Sequence, residues 1–166
     1  MEETDILIRA ARAEDLPVMQ TIARRTIDRR YRRFLGDEGV DAYINSGESD
    51  RELARNLDRC DVLLVDCAVV AFSVYIDDLI HLMMVDADRH RQGIGSRLLA
   101  HTEAVLAERG VVRARLETFD GNQQAIRFYR KNGWSETGRA PDAEHGFTRV
   151  YFEKHLGKNE TGRDVG

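Results

Sequence analysis

Three apolar runs crowd between Val62 and Val85: Val62–Val65, Val69–Tyr75 and Leu79–Val85. Only D-C-A and D-D separate them, so they read as three strands joined by tight turns. Their continuous apolar character, broken in the third run only by His81, implies burial on both faces. The third run feeds directly into V-D-A-D-R-H-R-Q-G-I-G-S-R-L-L, Val85 to Leu99. Gly93 and Gly95 stand at the junction between this strand and a helical repeat. Glycine lets another group come close to the backbone. A helix starting there would aim unpaired N–H groups and its positive dipole end at one spot, a seat suited to phosphate. Arg89, Arg91 and Arg97 add positive charge around it. Taken alone, the stretch is either a strand, an anion-binding turn and a helix, or an ordinary glycine-bearing turn. It is not a dinucleotide fingerprint, because Leu98 occupies the third glycine position, and no G-K-[ST] of a P-loop occurs.

Upstream, Ile6 to Arg9 is a short strand candidate. A helix from about Glu14 carries Leu16, Met19, Ile22, Ala23, Thr26 and Ile27 on one stripe. Its other face holds Arg24, Arg25, Arg29, Arg30, Arg32 and Arg33. These arginines are either a solvated face paired with Asp28, Asp37, Glu38 and Asp41, or a site for an acidic acceptor or partner. Gly36 breaks the helix, Val40, Tyr43 and Ile44 suggest a second, and Asn45–Ser49 reads as a loop. Ser49 or Asp50 is expected to cap a third helix bearing Leu53 and Leu57. Downstream, Gly95–Arg109 is helical, ended by Gly110, and Val112–Thr118 alternates as a half-buried strand. Ser135–Gly146 reads as a polar loop between two strands, and the tail from Gly157 as disordered. One domain over residues 1–156 is expected, with 157–166 as its tail.

A net charge of −4 argues against nucleic-acid binding by bulk charge. No apolar run approaches the ~20 residues of a membrane span. Cys60 and Cys67 are too few for a disulfide framework, and no metal-ligand spacing occurs. M-E-E-T-D lacks the charged-then-apolar plan of a signal peptide, so cytoplasm is the expected compartment.

A second informative stretch is N-Q-Q-A-I-R-F-Y-R-K-N-G-W, Asn122 to Trp134. Alone it is a short helix capped by Asn122, with Ala125, Phe128 and Tyr129 inward and Gly133 at its end. It resembles the N-x-x-A-x-x-[FL]-Y-x-x-x-G-[FW] segment of the GNAT acetyltransferase superfamily. His90–Gly95, H-R-Q-G-I-G after M-M-V, is similar to that family's acyl-CoA motif [RQ]-x-x-G-x-[GA], with His90 as the departure. The two motifs lie in register, and the resemblance covers roughly residues 5–154.

The resemblance implies an α/β (α+β) fold with a mixed, mostly antiparallel central sheet flanked by helices. The sheet would splay between Leu79–Val85 and Val112–Thr118 to admit CoA. Backbone groups near Met83 and Val85 would pair with the pantetheine. Amides from Arg91 through Gln92, Gly93, Ile94 and Gly95 to Ser96 would hold the diphosphate. Asn122 and Tyr129 would flank the thioester. The implied activity is acetyl transfer from acetyl-CoA to a primary amine by direct attack, without a metal. A lysine-like amine has pKa ~10.4, so freeing its lone pair at pH 7 costs about 4.6 kcal/mol. A base is therefore useful, and His81 is the candidate, with Asp77 and Asp78 as alternatives. Tyr129 would act as the general acid toward the leaving thiolate. A non-catalytic acyl-CoA sensor or interaction module is the competing class. The acceptor, the role of the arginine face and the oligomeric state, homodimer included, stay open at this stage.

Overall fold

One sheet of seven strands runs through the computed structural model, which describes residues 4–89, 93–143 and 146–157. The strands are β1 (Ile6–Ala10), β2 (Cys60–Val65), β3 (Ala68–Ile76), β4 (Leu79–Val85), β5 (Arg113–Phe119), β6 (Ser135–Asp142) and β7 (Phe147–His155). Their spatial order is β1-β2-β3-β4-β5-β7-β6, and every neighbouring pair is antiparallel except β4 with β5. The helices are α1 (Leu16–Arg30), α2 (Arg32–Leu35), α3 (Asp37–Ser46), α4 (Glu48–Arg55), α5 (Ile94–Glu108) and α6 (Gln123–Lys131). The mixed, mostly antiparallel sheet flanked by helices is the expected fold.

β2 is buried throughout and β3 nearly so, because helices cover both faces at this point. Met19, Ile22, Ala23 and Ile27 of α1 pack with Val40, Leu53, Phe72 and Val74 on one face. Leu98 of α5 packs with Leu63 and Ala71 on the other. A bidentate pair, Arg9 to Asp15 at 2.8 and 3.1 Å, ties β1 to the start of α1. The Arg9 guanidinium holds the Asp15 carboxyl below the usual carboxylate range.

Several boundaries differ from the expectation. Asn45–Ser49 is not a loop: α3 runs to Ser46, α4 begins at Glu48, and only Gly47, left-handed at φ 77°, separates them. One left-handed residue suffices to redirect a helix, so no loop is needed. Neither Ser49 nor Asp50 caps α4, where Gly47 holds the N-cap position. Ser49 is buried, and Asp50 pairs with Arg24 at 2.6 Å. Ser135–Asp142, expected as loop, is the edge strand β6, hydrogen-bonded only to β7. It buries little, so its polar sequence lacks the apolar alternation that marks a half-buried strand. Val112 falls before β5 and is exposed. The expectations for His90, Arg91, Gln92 and His145, and for the tail beyond Gly157, lie outside the described residues.

Candidate active site

β4 and β5 pair at only two positions, Leu79 with Arg115 and Ile80 with Leu116. Beyond these the two strands diverge, and a cavity of about 600 Å³ opens between them. Met83, Thr118, Asn122, Ala125 and Tyr129 line it from the strands and α6. Tyr31, Tyr43 and Glu52 close it from the α1–α4 side. The splay thus lies at the one parallel junction of the sheet, where no hairpin forces the strands together.

A bulge sets the chemistry of β4. Val74 pairs with Leu82 but Tyr75 pairs with Ile80, so His81 is the extra residue opposite the step. The bulge changes which face each side chain takes. Leu82 and Met84 pack against the α1 core, whereas Met83 and Val85 pack toward α5. Simple alternation would put His81 on the Met83 and Val85 face. Instead its Nε2 hydrogen-bonds Glu52 Oε2 of α4, on the α1 side. Glu52 raises the His81 pKa above its ordinary value, and His81 holds the Glu52 carboxyl low. Tyr43 completes the row, its hydroxyl 3.5 Å from Glu52 Oε1. Burial beside these carboxylates pushes the Tyr43 hydroxyl up to about 12. Glu52 and Tyr43 carry no motif of their own. Their only trace in the sequence is a place on amphipathic helices: Glu52 meets His81 through the packing of α4 on the sheet, and Tyr43 of α3 meets Glu52.

Tyr129 sits in the last turns of α6, wedged among Phe128, Trp134 and Phe152. It is buried, at 9% exposure, yet its hydroxyl has no hydrogen-bond partner among the described residues. Burial, reinforced by nearby Tyr31, raises its pKa well above that of an ordinary tyrosine. A buried donor without a partner is costly unless something else supplies an acceptor. Asn122 is the N-cap of α6, its Oδ1 accepting from the Ala125 N–H at 3.3 Å, and it faces the same cavity.

Gly93 caps α5 in the left-handed region at φ 75°, with no side-chain cap. The first bond into the helix runs from the Arg97 N–H to the Gly93 carbonyl, so the amides of Ile94, Gly95 and Ser96 precede it. A Cβ on Gly93 would meet nothing within 4 Å, whereas one on Gly95 would stand 3.3 Å from the Phe128 ring and 3.7 Å from Val85. The first glycine supplies a torsion, and the second lets α5 sit close to α6 and β4. The strand gap and Tyr129 share the cavity, while the open end of α5 is not among the described residues that line it.

The remaining candidates separate from the cavity. Asp77 holds the β3–β4 turn at φ 55°, and Asp78 binds Arg115 at 2.9 and 3.0 Å. None of the six arginines between Arg24 and Arg33 lines the cavity. Arg24, Arg25 and Arg29 pair with Asp50, Asp86 and Asp88 at 2.6, 3.7 and 3.5 Å. Arg32 gathers Asp28, Asp37 and Asp41, while Arg30 reaches Gln124 of α6. Four of the six are thus ion-paired, but only Arg32 with the expected Asp28, Asp37 and Asp41. No helix among the described residues is long and apolar enough to cross a membrane.

Residues 67–134 match the profile of the Acetyltransferase (GNAT) family. A stretch of 78 residues, 46% of this chain, is 36% identical to the blasticidin-S acetyltransferase of Streptomyces morookaense and spans 56% of that protein. Among solved structures, a GCN5-related N-acetyltransferase from Rhodopseudomonas palustris superposes with a TM-score of 0.79 at 18% identity, covering 93% of this chain and 98% of that one. The PaiA N-acetyltransferase from Thermoplasma acidophilum, in complex with coenzyme A, superposes with a TM-score of 0.75 at 21% identity, covering 91% and 99%. Residues 67–134, which hold the splay strand, the glycine-capped helix and the tyrosine helix, thus match the Acetyltransferase (GNAT) family profile, and the chain shares the fold of these N-acetyltransferase structures.

Proposed function

We propose that this chain transfers the acetyl group of acetyl-CoA to a primary amine by direct attack. The observation that carries the reading is the β4–β5 splay, which opens onto one cavity shared by the buried Tyr129 hydroxyl and the His81–Glu52 pair. When bound, acetyl-CoA supplies an activated acyl group and a thiolate leaving group. Backbone groups of Met83 and Val85 would hold its pantetheine arm as an edge strand holds a peptide. The open amides of Ile94, Gly95 and Ser96, with Gly93 and the Arg91–Gln92 segment, would hold its diphosphate. Asn122 would sit beside the thioester.

His81 acts as the proton acceptor for the incoming ammonium, directly or through a water. Glu52 orients the ring and makes it a stronger base than an isolated histidine. Tyr129 faces the departing sulfur. An ordinary thiol ionises ~1.5 units below an ordinary tyrosine, and burial widens that gap. Tyr129 therefore holds its proton and stabilises the departing thiolate by donating a hydrogen bond, its part as the acid. The sulfur takes its proton either through Tyr129, which regains one from the acetylated amine nitrogen, or from solvent on release. The test is thiol release from acetyl-CoA across acidic, neutral and basic amines, alongside calorimetry of acetyl-CoA binding. Saturable binding with amine-dependent release is expected. Absence of binding at millimolar acetyl-CoA would overturn the reading, and binding without release to any amine would leave a CoA-binding module.

A further inference from the structure

We infer that the acceptor is a singly charged cationic amine on a flat apolar or aromatic body, lacking a carboxylate; this rests on the transfer reading above. The floor of the cavity away from α5 is aromatic. Tyr31 meets Phe119 edge-on at 5.9 Å, and Phe119 meets Phe147 at 4.4 Å and 70°. Leu35 and Leu53 add aliphatic wall. Such a surface favours a ring or short apolar body over a hydrated chain.

The charges around it are paired, and the pair that opens during transfer is His81 with Glu52: a neutral His81, the form that accepts a proton, leaves Glu52 uncompensated. The carboxylates lining the cavity are Glu52 and Glu117, and both bear on His81. Among the described residues, the cations lining it are His81 and Arg149. Arg149 is already committed: it reaches Asp142 at 2.7 Å and Glu117 at 3.3 Å, and lies over the Phe147 and Phe119 rings at 5.4 and 5.9 Å. Among the described residues, no uncommitted guanidinium lines the cavity to receive a substrate carboxylate, and the arginines of α1 and α2 lie outside it. A carboxylate beside Glu52 and Glu117 would meet like charge, whereas an ammonium meets Glu52, whose charge is left uncompensated when His81 is neutral. A second cation on the acceptor would find Glu117 already engaged by Arg149, which limits the fit to one.

The experiment compares phenethylamine, phenylalanine and ethylamine as acceptors at equal concentrations of free amine, measuring thiol release and, separately, binding to protein saturated with CoA. Phenethylamine is expected to exceed each of the other two in kcat/KM by about tenfold or more. Glu117→Gln, checked for an unchanged melting temperature, should remove one carboxylate charge and free the Nη1 end of Arg149, with Asp142 keeping its Nη2, and so raise phenylalanine relative to phenethylamine. Phenylalanine matching or exceeding phenethylamine in the wild type would overturn the inference. If no amine is turned over but phenethylamine binds and phenylalanine does not, acetyl transfer fails and the acceptor class stands. If none binds and none is turned over, the inference falls.

Discussion

On the α5–α6 side of the splay, the features that matter belong to the backbone or to one short segment. Gly93 turns the chain, Gly95 permits close packing, and Asn122 and Tyr129 lie on a single helix and its cap. On the α1–α4 side they are side chains brought from far apart: Glu52 to His81 across 29 residues, and Glu117 to Arg149 across 32. The first wall can be written as a local pattern because its geometry is local. The second exists only after α4 docks on β4 and β7 pairs with β5. A cosubstrate shared by many relatives suits the first kind of wall, and an acceptor particular to this chain suits the second.

Breaking the local wall should have the largest effect. Gly93→Val puts a β-branched residue at φ 75°, a conformation that costs roughly 1–2 kcal/mol and disturbs the open helix end. Acetyl-CoA affinity by calorimetry should fall about a hundredfold or more, the scale of a misplaced positioning element, and CoA-dependent thermal stabilisation should disappear. Wild-type affinity in that variant would detach the glycine loop from cosubstrate binding. Tyr129→Phe comes next. Removing a preorganised donor should lower kcat about 100- to 1,000-fold, while CoA affinity holds within about twofold because the hydroxyl matters mainly as charge develops on sulfur. Stability should hold or rise slightly, since the hydroxyl is buried without a partner among the described residues. Full activity would remove Tyr129 from the chemistry.

The same division explains how much the sequence discloses. The three central strands, α5 and α6 appear within a residue or two of their observed ends, because apolar periodicity and glycine stops are written locally. β6 escapes because an edge strand of polar residues carries no such signal. The α3–α4 junction looks like a loop because polar, turn-prone residues can equally sit on an exposed helical face. Tyr129 and Asn122 are legible, and His81 is legible as a residue but not in its orientation. Its bulge depends on the register between β3 and β4, which strict alternation conceals. Glu52 is invisible for the reason that makes it useful: its partner lies on another element.

Disturbing the long-range wall alone should give a smaller, acceptor-specific effect. Gly121, between β5 and α6, lies under Phe34 of α2; an added Cβ would sit 2.9 Å from Phe34 Cγ and closer still to its Cβ. Gly121→Ala should force α2 outward at a cost of about 1–3 kcal/mol, as overpacking does. Tyr31 and Leu35 flank that ring in sequence and line the cavity, so acceptor KM should rise while acetyl-CoA affinity stays near wild type. Equal losses for both ligands would show that the two walls are mechanically one.

The smallest expected effect is a shift in pH rather than a loss. Glu52 raises the His81 pKa, so in the wild type the lower limb of kcat/KM against pH should lie above the ~6.5 of an isolated histidine. Glu52→Gln removes that support, and the limb should move down toward ~6.5. The variant should then be relatively better at weakly acidic pH and somewhat slower on the plateau, where its imidazole is a weaker and less oriented base. The amine's own ionisation adds a higher limb, separated by using acceptors of different amine pKa. His81→Ala should delete the lower limb and keep acetyl-CoA binding; a limb that survives there places the base elsewhere. Stability offers an independent reading. His81, raised on folding, contributes fully below ~6.5 and loses its contribution as pH climbs through the folded value. Glu52, lowered on folding, contributes fully above ~4.3 and loses its contribution as pH falls through its folded value. The melting-temperature gap between wild type and Glu52→Gln should therefore be widest between those two pH values and narrow on either side. A gap that is flat across pH would mean the pair is a packing contact and not an ionic one, and His81 would then enter catalysis without Glu52 tuning it.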